Sequence, residues 1–314
     1  MRAKPIIEGA LLITLAVVLF AGGVYIPLVG VILALFSPVP LVILGMRYGL
    51  KRGVISGLTS SFLLLLITGP FQAFIFLFNS AVVAIAVGYL VGKGLKANEV
   101  ILYSALVSLM SKIVFFALSA LIVGVNPLEV NLKLIQDSLR SSAEIYEKFG
   151  LAGRDSYLLG RNLENFLGYL RMVFPAVIIV ASALDAFLTF VVSGWILKKI
   201  GEPFPELPSF SEWRFPRSLL WGMGLGVIFS ILGEEMTNFY LVSAGANLQL
   251  VFGFLFILQG ISLADYFMKR FRFHKWVRYL LIFLLFFQPL LSKIAMFVGM
   301  IDVLVDFRRR RENL

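Results

Sequence analysis

The sequence predicts an all-α protein: a polytopic transmembrane helix bundle of about 9–10 spans, with an amphipathic helical hairpin outside the membrane. Of its 314 residues, 60% are hydrophobic and 15% charged, whereas soluble domains have about 45–50% apolar and about 25% charged residues. The apolar residues also form runs near the ~20 residues that cross a ~30 Å hydrocarbon core. A soluble core of this chain length could not bury so much apolar surface, so we expect the lipid bilayer to surround it.

Nine apolar runs are long enough to be considered as spans. They lie at residues 6–26, 28–46, 54–69, 71–92, 99–124, 172–197, 218–234, 247–268 and 277–306. The second run follows the first almost at once, which favours an uncleaved first span over a signal peptide. The last run is too long for one straight crossing and has Pro289 near its middle. We interpret it as a bent helical hairpin, with a single span left open as the alternative.

Basic residues mark alternate connections between the runs. They gather at residues 2–4, 47–52, 93–96, 198–217 and 269–278, whereas the turns at 69–70 and 235–247 carry none. Because Lys and Arg stay on the cytoplasmic side, this alternation predicts a cytoplasmic N-terminus. The hairpin would return the C-terminus to the same side of the bacterial inner membrane, which we expect to be the location.

The charge and composition exclude several classes of function. The net charge of +10 is spread over short clusters between apolar runs, so nucleic-acid binding is not expected. With no cysteine and a single histidine, His274, we predict no cofactor and no metal centre. We also predict no enzymatic activity. The least favoured alternative is a membrane enzyme that uses Glu234, Glu235 and Asp265 for general acid–base chemistry.

The runs and their connections predict the domain organisation. Residues 1–198 form an N-terminal membrane bundle, and residues 218–314 form C-terminal membrane helices. Residues 199–217, rich in proline and aromatic residues, form a cytoplasmic linker between them. Residues 126–170 are charged, with apolar positions at helical spacing, which predicts two amphipathic helices on the outer surface. A solvated connector packed on the bundle is the alternative.

Two charged residues lie where a charge is costly. Lys112 is near the middle of the run 99–124, and Asp185 is near the middle of 172–197. A charge at mid-membrane costs about 2.5–3.5 kcal/mol on insertion scales, so it usually has a partner or a purpose. We predict that Lys112 pairs with Asp185. Two roles remain open, a polar cavity for a substrate or proton and a buried pair that fixes helix register.

Both charges belong to polar stripes at helical spacing. The companions are Ser182, Thr189 and Ser193 around Asp185, and Ser104, Ser108 and Ser111 around Lys112. We expect the two stripes to face each other. Pro38 and Pro40 interrupt the second run, and unwound segments of this kind surround binding sites in transporters. The alternative is that neighbouring helices simply tolerate these prolines.

Glycines and serines recur every four residues in several runs, for example Gly222, Gly226 and Ser230. This small-xxx-small pattern lets two membrane helices approach closely. The pattern predicts helix association rather than chemistry.

Three stretches resemble the YybS-like family of bacterial membrane proteins, which has no assigned function. They are PVPLVILGMRYG at 38–49, LPSFSEWRFP at 207–216, and GMIDVLVDFRR at 299–309. The N-terminal region of that family is similar to the substrate-binding (S) components of energy-coupling-factor vitamin transporters. The resemblance implies a compact helical bundle with a small-molecule pocket. Those components commonly dock through an Ala-xxx-Ala pattern, which Ala10, Ala16 and Ala21 do not match.

The leading hypothesis is therefore a membrane protein that binds or transports a small molecule. The predicted substrate-binding residues are Lys112, Asp185, Ser182, Thr189, Pro38 and Pro40. The alternative is a non-catalytic scaffold in envelope assembly or regulation, which contacts a membrane protein partner through residues 126–170 and 204–216. The lipid bilayer is a partner under either hypothesis.

Overall fold

The computed structural model describes residues 3–123 and 156–308, with residues 129, 132, 133, 136–138 and 141 between them. Within these residues the chain forms helices and no strand. Six described helical segments are long and apolar enough to cross a membrane, or seven if one bent pair counts as a single span. The predicted all-α polytopic bundle is therefore confirmed.

The chain forms two compact units, Met1–Gly153 with Ala181–Leu207, and Arg154–Val180 with Pro208–Leu314. The predicted linker 199–217 is thus shared between them. The division into an N-terminal membrane bundle, 1–198, and C-terminal membrane helices, 218–314, stays a prediction.

The first unit contains six helices and the second half of a seventh. They are α1 (Ala3–Tyr25), α2 (Gly30–Phe36), α3 (Val39–Thr68), α4 (Pro70–Ile75), α5 (Val82–Gly92), α6 (Ala97–Leu118) and the end of α7 (Ser156–Lys199). Short π-helical turns, Phe76–Ala81 and Ser119–Val123, follow α4 and α6. The side chain of Glu99 accepts a hydrogen bond from the Lys96 N–H at 2.9 Å and so helps to begin α6.

The helical segment Gly30–Thr68 contains two of the predicted runs. At Gly49 the backbone takes φ 77° and ψ −179°, which interrupts the helix. A methyl group on Gly53 would lie only 3.5 Å from the Cα of Gly45, so the chain turns back here. The runs 28–46 and 54–69 are the two arms of this turn.

The prolines of the second run do not unwind it. Ser37 and Pro38 keep helical backbone angles. The Pro38 carbonyl accepts hydrogen bonds from the N–H groups of Leu41 and Val42, each at 3.0 Å. The helix therefore continues through the prolines, which agrees with the alternative that they are tolerated.

The second unit contains the first part of α7, with α8 (Leu219–Glu235), α9 (Phe239–Arg270), α10 (Lys275–Phe287) and α11 (Pro289–Val305). At the start of α9, Asn238 Oδ1 accepts hydrogen bonds from the N–H groups of Tyr240 and Leu241. At 17 residues, α8 is slightly shorter than a typical span.

Small residues bring α8 and α9 together. A Cβ atom on Gly233 would lie 2.5 Å from the Val242 backbone nitrogen, and one on Gly245 would lie 2.6 Å from that of Ser230. Gln249 Nε2 also donates to the Gly226 carbonyl at 3.0 Å. The sequence numbers of these partners fall along one helix as they rise along the other, so the pair is antiparallel. The predicted close approach through Gly226 and Ser230 is confirmed.

The last predicted run forms the bent pair α10 and α11, whose axes differ by 94°. The break falls at Gln288, before Pro289, as predicted. Near the start of the pair, Arg278 binds Asp265, and after its end Arg308 binds Ser262. The chain therefore leaves and regains the same end of α9, as the predicted hairpin requires. That the pair returns the C-terminus to the cytoplasmic side stays a prediction.

The predicted amphipathic hairpin 126–170 lies only partly in the described residues. Its first helix and the predicted Gly150–Gly153 turn lie outside them, apart from a few single positions. From Ser156 the chain is helical without interruption to Lys199. The predicted second amphipathic helix therefore runs directly into the sixth predicted span.

Candidate functional site

Lys112 of α6 and Asp185 of α7 form an ion pair in the first unit. The Lys112 ammonium group donates to Asp185 Oδ2 and, at 2.8 Å, to Ser108 Oγ. The predicted pairing is confirmed. Both residues lie in segments long and apolar enough to span a membrane, Ala97–Leu121 and Asn165–Lys199.

The two helices of the site are antiparallel. The start of α6 follows the end of α5, where Gly92 lies against the backbone of Met46. The chain just after α7 lies at that same end, because Glu202 accepts a hydrogen bond from Arg47. Helix α6 therefore begins at the end of the unit where α7 ends, and the two polar stripes run in opposite directions. That the stripes face each other beyond the ion pair stays a prediction.

The ion pair is buried on one side only. Lys112 is 8% exposed, whereas the side chain of Asp185 is 38% exposed. In a low-dielectric surrounding each charge stabilises the other strongly, and removing one leaves the other unpaired. The exposed part of Asp185 is the part of the pair that a further group could approach.

Most of the polar companions are buried with the pair. Ser104, Ser108, Ser182, Thr189 and Ser193 are all at most 7% exposed. Ser104 Oγ and Ser193 Oγ have no hydrogen-bond partner. Buried hydroxyl groups are normally bonded, so these two mark an unusual polar interior.

Ser111 behaves differently from the other companions. Its Oγ donates to the Phe78 carbonyl at 2.6 Å. An apolar groove of about 400 Å³ lies on that flank, with Phe78, Val82, Leu106, Val107, Met110, Ser111 and Val114 around it. At 100° per residue, the lining positions of α6 lie about 100–160° around the helix from Lys112. The groove is therefore not the predicted polar pocket.

Aromatic side chains lie next to the ion pair, on the side away from Arg47. Phe115 follows Lys112 by three residues, and its ring centroid is 5.3 Å from that of Phe74 and 6.2 Å from that of Phe78. Phe116 adds an edge contact to Phe115 at 5.5 Å. This cluster gives the polar site an apolar boundary.

The structure places Pro38 and Pro40 in the buried junction of α2 and α3. Ser37 and Pro38 keep helical backbone angles at that junction, so unwinding does not supply a site there. A contribution of these prolines to a pocket stays a prediction.

The carboxylates considered for catalysis are not brought together. Asp265 is 2% exposed and is paired with Arg278 at 2.8 Å and Lys269 at 3.5 Å. Glu234 and Glu235 are exposed, at the end of α8 that leads into the start of α9. About 39 Å of helix separates the start of α9 from Asp265. No group of three or more metal-ligating residues occurs in the part of the chain that the structure describes.

The sequence did not predict a hydrogen-bonded cluster in the second unit between the loop 208–216 and the chain end. Arg308 donates from Nη1 to the carbonyls of Ser211 at 2.6 Å and Trp213 at 3.1 Å. Its Nη2 donates to Ser262 Oγ at 3.1 Å. Arg308 is 1% exposed, and this burial lowers its pKa below the usual value for arginine.

The polar side chain of Gln259 extends the same cluster. Its Oε1 accepts from the Phe215 N–H at 3.0 Å, and its Nε2 donates to Asp302 Oδ2 at 2.5 Å. Asp302 also accepts from the Phe307 N–H at 3.2 Å. The stretches 207–216 and 299–309, noted only as a resemblance, therefore contact each other. That both stretches take part in the family resemblance was the signal in the sequence from which their contact could have been predicted.

A second ion cluster surrounds Arg47, whose charge in the sequence predicted only the cytoplasmic side of the membrane. Arg47 binds both Glu8 and Glu202, and the Tyr48 hydroxyl donates to Glu8 at 2.6 Å. This cluster ties α1, the turn at Gly49 and the chain after α7 together at one end of the first unit.

An exposed ion pair lies just beyond that cluster. Lys198 binds Glu206 at 2.5 Å. The hydrogen bond from Lys198 holds the pKa of Glu206 below its usual range.

The fold and the buried ion pair define a polytopic α-helical membrane protein. The chain belongs to the family described as "Predicted membrane protein (DUF2232)", whose model matches residues 14–303. It is 26% identical over 309 residues to the uncharacterized protein YybS of Bacillus subtilis (strain 168), across 98% of this chain and 99% of that protein. The predicted YybS-like relationship is confirmed. No solved structure matches, and the similarity to transporter S components stays a prediction.

Proposed function

We propose that the first unit binds a small polar molecule within the membrane and takes part in its transport. The observation that carries this proposal is the Lys112–Asp185 pair, whose carboxylate side is 38% exposed although both residues lie within membrane-crossing segments. Ionisable groups at such depth commonly mark substrate or ion pathways.

The chemistry of the pair restricts the ligand. The Lys112 ammonium group offers three donors, and Asp185 accepts through two oxygens. A ligand with an anionic group could bind the Lys112 ammonium group in place of Asp185. A hydrogen-bond donor on the same ligand could bind the Asp185 carboxylate in place of Lys112. Ser182 and Thr189 would add hydrogen bonds from α7, and Pro38 and Pro40 would add apolar surface. The ring of Phe115 would cover the apolar part of such a molecule.

Native mass spectrometry of the detergent-purified protein tests this proposal. The wild-type protein should retain a small molecule, and Asp185→Asn and Lys112→Met should each lose it. The matched control is Lys198→Met, which breaks an exposed ion pair of the same unit and should leave the bound molecule in place. Retention by both neutralised variants, with unchanged size-exclusion profiles, would refute the site.

We also propose the predicted orientation, with both chain ends at the cytoplasmic face of the cell membrane. The basic turn at Arg47 and the basic connection at Lys93 and Lys96 lie at the same end of the first unit, as the close approach of Gly92 to Met46 supports.

A second candidate function is a scaffold that binds a membrane protein partner. It is favoured by the loop 208–216, to which the side chains of Arg308 and Gln259 hydrogen-bond. Copurification of a stable partner with the wild-type protein, and its loss on Arg308→Ala, would support this function. Retention of a small ligand without any partner would support the first proposal instead.

A further inference from the structure

Lys293 is a charged residue of α11 that takes no part in the sites described above. It lies within the last apolar run of the sequence, and its side chain is exposed. It has no hydrogen-bond or ion-pair partner among the residues that the structure describes. Lys112, by contrast, binds both Asp185 and Ser108. The charge of Lys293 is therefore left without compensation within the described chain.

The bend between α10 and α11 lies at the middle of α9. Just before the bend, the ring centroid of Phe286 is 6.2 Å from that of Phe254. Just after it, Met296 Sδ would lie 3.3 Å from a Cβ atom on Gly253. Gly253 and Phe254 are the central residues of the 32-residue helix α9. The bent pair therefore carries its tip, and Lys293 with it, toward the middle of the membrane.

The depth of Lys293 follows from the way α11 packs on α9. A Cβ atom on Gly299 would lie 2.0 Å from the Phe256 carbonyl oxygen, three residues further along both helices than the Met296 contact. The two helices are therefore parallel, and Lys293 lies at the level of Leu250. At 1.5 Å per residue, this level is about 16 Å from the start of α9 and about 30 Å from its end. A lysine side chain reaches neither end, so its charge is held where an unpaired ion is costly.

Lys293 shares one face of α11 with large apolar residues. Leu290, Phe297 and Leu304 are all more than half exposed. With Lys293 they lie three, four and seven residues apart, which is the heptad spacing by which one helix packs along another. At 100° per residue, Lys293 is about 120° around the helix from Gly299, which contacts α9. This face is therefore turned away from α9.

We propose that this surface, the Lys293 face of Leu290, Lys293, Phe297 and Leu304, binds a membrane-spanning helix of another protein that carries a carboxylate at mid-span. Lipid covers apolar side chains, but acyl chains have no group that stabilises an ammonium ion. A small anion would have to leave water to reach this face, whereas a partner helix brings its carboxylate into the membrane with it. The heptad spacing lets that helix approach along the length of α11.

A second copy of this chain does not supply the carboxylate from the described residues. Asp185, Asp265 and Asp302 lie in the helices, and each already binds a cation of its own chain. The partner is therefore a different protein. The Lys293 face belongs to the second unit, and its role does not depend on the ligand proposed for the first unit.

Disulfide crosslinking to a synthetic helix tests the proposal, because the chain has no cysteine of its own. The full-length variant Ile294→Cys is reconstituted in phosphatidylcholine vesicles with apolar peptides of about 20 residues. Each peptide has one cysteine next to its central residue, which is Glu, Gln or Leu. The control is Ile231→Cys on α8 of the same unit, where the side chain is 52% exposed against 49% for Ile294.

We expect Ile294→Cys to crosslink the Glu peptide several-fold more than the Gln or Leu peptide, and Ile231→Cys to crosslink all three equally. Adding Lys293→Met to Ile294→Cys should abolish the preference. Adding Lys293→Glu instead should transfer it to a peptide with a central Lys. Equal yields of the Glu and Gln peptides with Ile294→Cys, in protein with a wild-type size-exclusion profile, would overturn the proposal.

The stability of the isolated protein gives a second test that needs no peptide. Since Lys293 has no partner there, Lys293→Met should leave the melting temperature unchanged or raise it, whereas Lys112→Met should lower it. An equal loss in both variants would show that Lys293 is paired within the chain and would overturn the proposal. So would a small anion, detected by native mass spectrometry, that only Lys293→Met loses. Loss of a ligand from Asp185→Asn concerns the first unit alone, so the two proposals fail separately.

Discussion

The side chain of Asn247 on α9 bridges a backbone N–H and a backbone carbonyl of α7 that lie one helical turn apart. Its Oδ1 accepts from the Ala176 N–H at 2.7 Å, and its Nδ2 donates to the Met172 carbonyl at 2.8 Å. Ser243 Oγ also donates to that carbonyl at 3.1 Å. In an undisturbed helix the Ala176 N–H would bind the Met172 carbonyl directly. Pro175, which has no N–H of its own, lies beside this bridge, and in lipid another helix must satisfy the backbone groups that a proline leaves unpaired.

We therefore expect Asn247→Leu to destabilise the second unit. The substitution keeps the side-chain size but leaves the Ala176 N–H and the Met172 carbonyl without the bridging amide, at a cost of about 1–3 kcal/mol for an unsatisfied buried group. Denaturant unfolding in detergent measures the loss, and amide hydrogen exchange at Ala176 should accelerate. The control is Asn165→Leu, at an exposed position of α7, the helix that contains Ala176. It should leave exchange at Ala176 unchanged. Unchanged exchange in Asn247→Leu would show that the helix closes its own bond.

Neutralising one member of the central ion pair should cost more than neutralising both. Lys112→Met leaves Asp185 charged without a partner. Breaking a fully buried pair in this way costs about 3–5 kcal/mol, so we expect a loss below that range for a carboxylate that is 38% exposed. Adding Asp185→Asn removes the stranded charge and should recover most of the loss. Thermal unfolding of the two single variants and the double variant completes the cycle. If the double variant is as unstable as the sum of the singles, the residues are not coupled. The exposed pair Lys198–Glu206 should show little change in the same cycle.

The central ion pair could be predicted because its signal is local and costly. Lys112 and Asp185 are charges inside apolar runs, each with polar residues one helical turn away. The expense of an isolated charge in lipid requires a partner, and few candidates exist at mid-span. The break at Pro289 was predictable for a similar reason, since proline interrupts the hydrogen-bond ladder of a run too long for one crossing.

Contacts between distant segments could not be predicted in the same way. Helical periodicity gives the face on which a residue lies but not the helix that covers that face. In the sequence, Asn247 is one polar residue in an apolar run, and nothing there indicates that it contacts α7. Arg308 belonged to a basic chain end that predicted only sidedness, yet it is buried beneath the loop at Ser211 and Trp213. Ser111 shares the spacing of its companions but turns to Phe78.

Substitution of Gly299 should separate α11 from α9. A Cβ atom there would lie 2.0 Å from the Phe256 carbonyl oxygen, a backbone atom that cannot rotate away. We expect Gly299→Ala to cost about 1–3 kcal/mol, as overpacking does in other cores. Gly224→Ala is the control, because nothing lies within 4 Å of its added methyl group and alanine favours the helix. The melting temperatures of the two variants measure this difference in stability, and that of Gly299→Ala should be the lower. Equal stability would mean that α11 shifts to make room.

Arg308→Lys should release the loop 208–216 although it keeps the positive charge. The guanidinium group reaches the Ser211 and Trp213 carbonyls from one nitrogen and Ser262 Oγ from the other. A lysine ammonium group is a single point on a flexible stem and cannot reproduce this fork. Hydrogen exchange in residues 208–216 should therefore accelerate, whereas Arg270→Lys, at an exposed position of the same unit, should leave it unchanged. Retained protection in Arg308→Lys would show that charge alone, through Asp302 at 3.5 Å, holds the chain end in place. Because the loop backbone depends on several donors at once, we expect the loss of geometry to outweigh the retained charge.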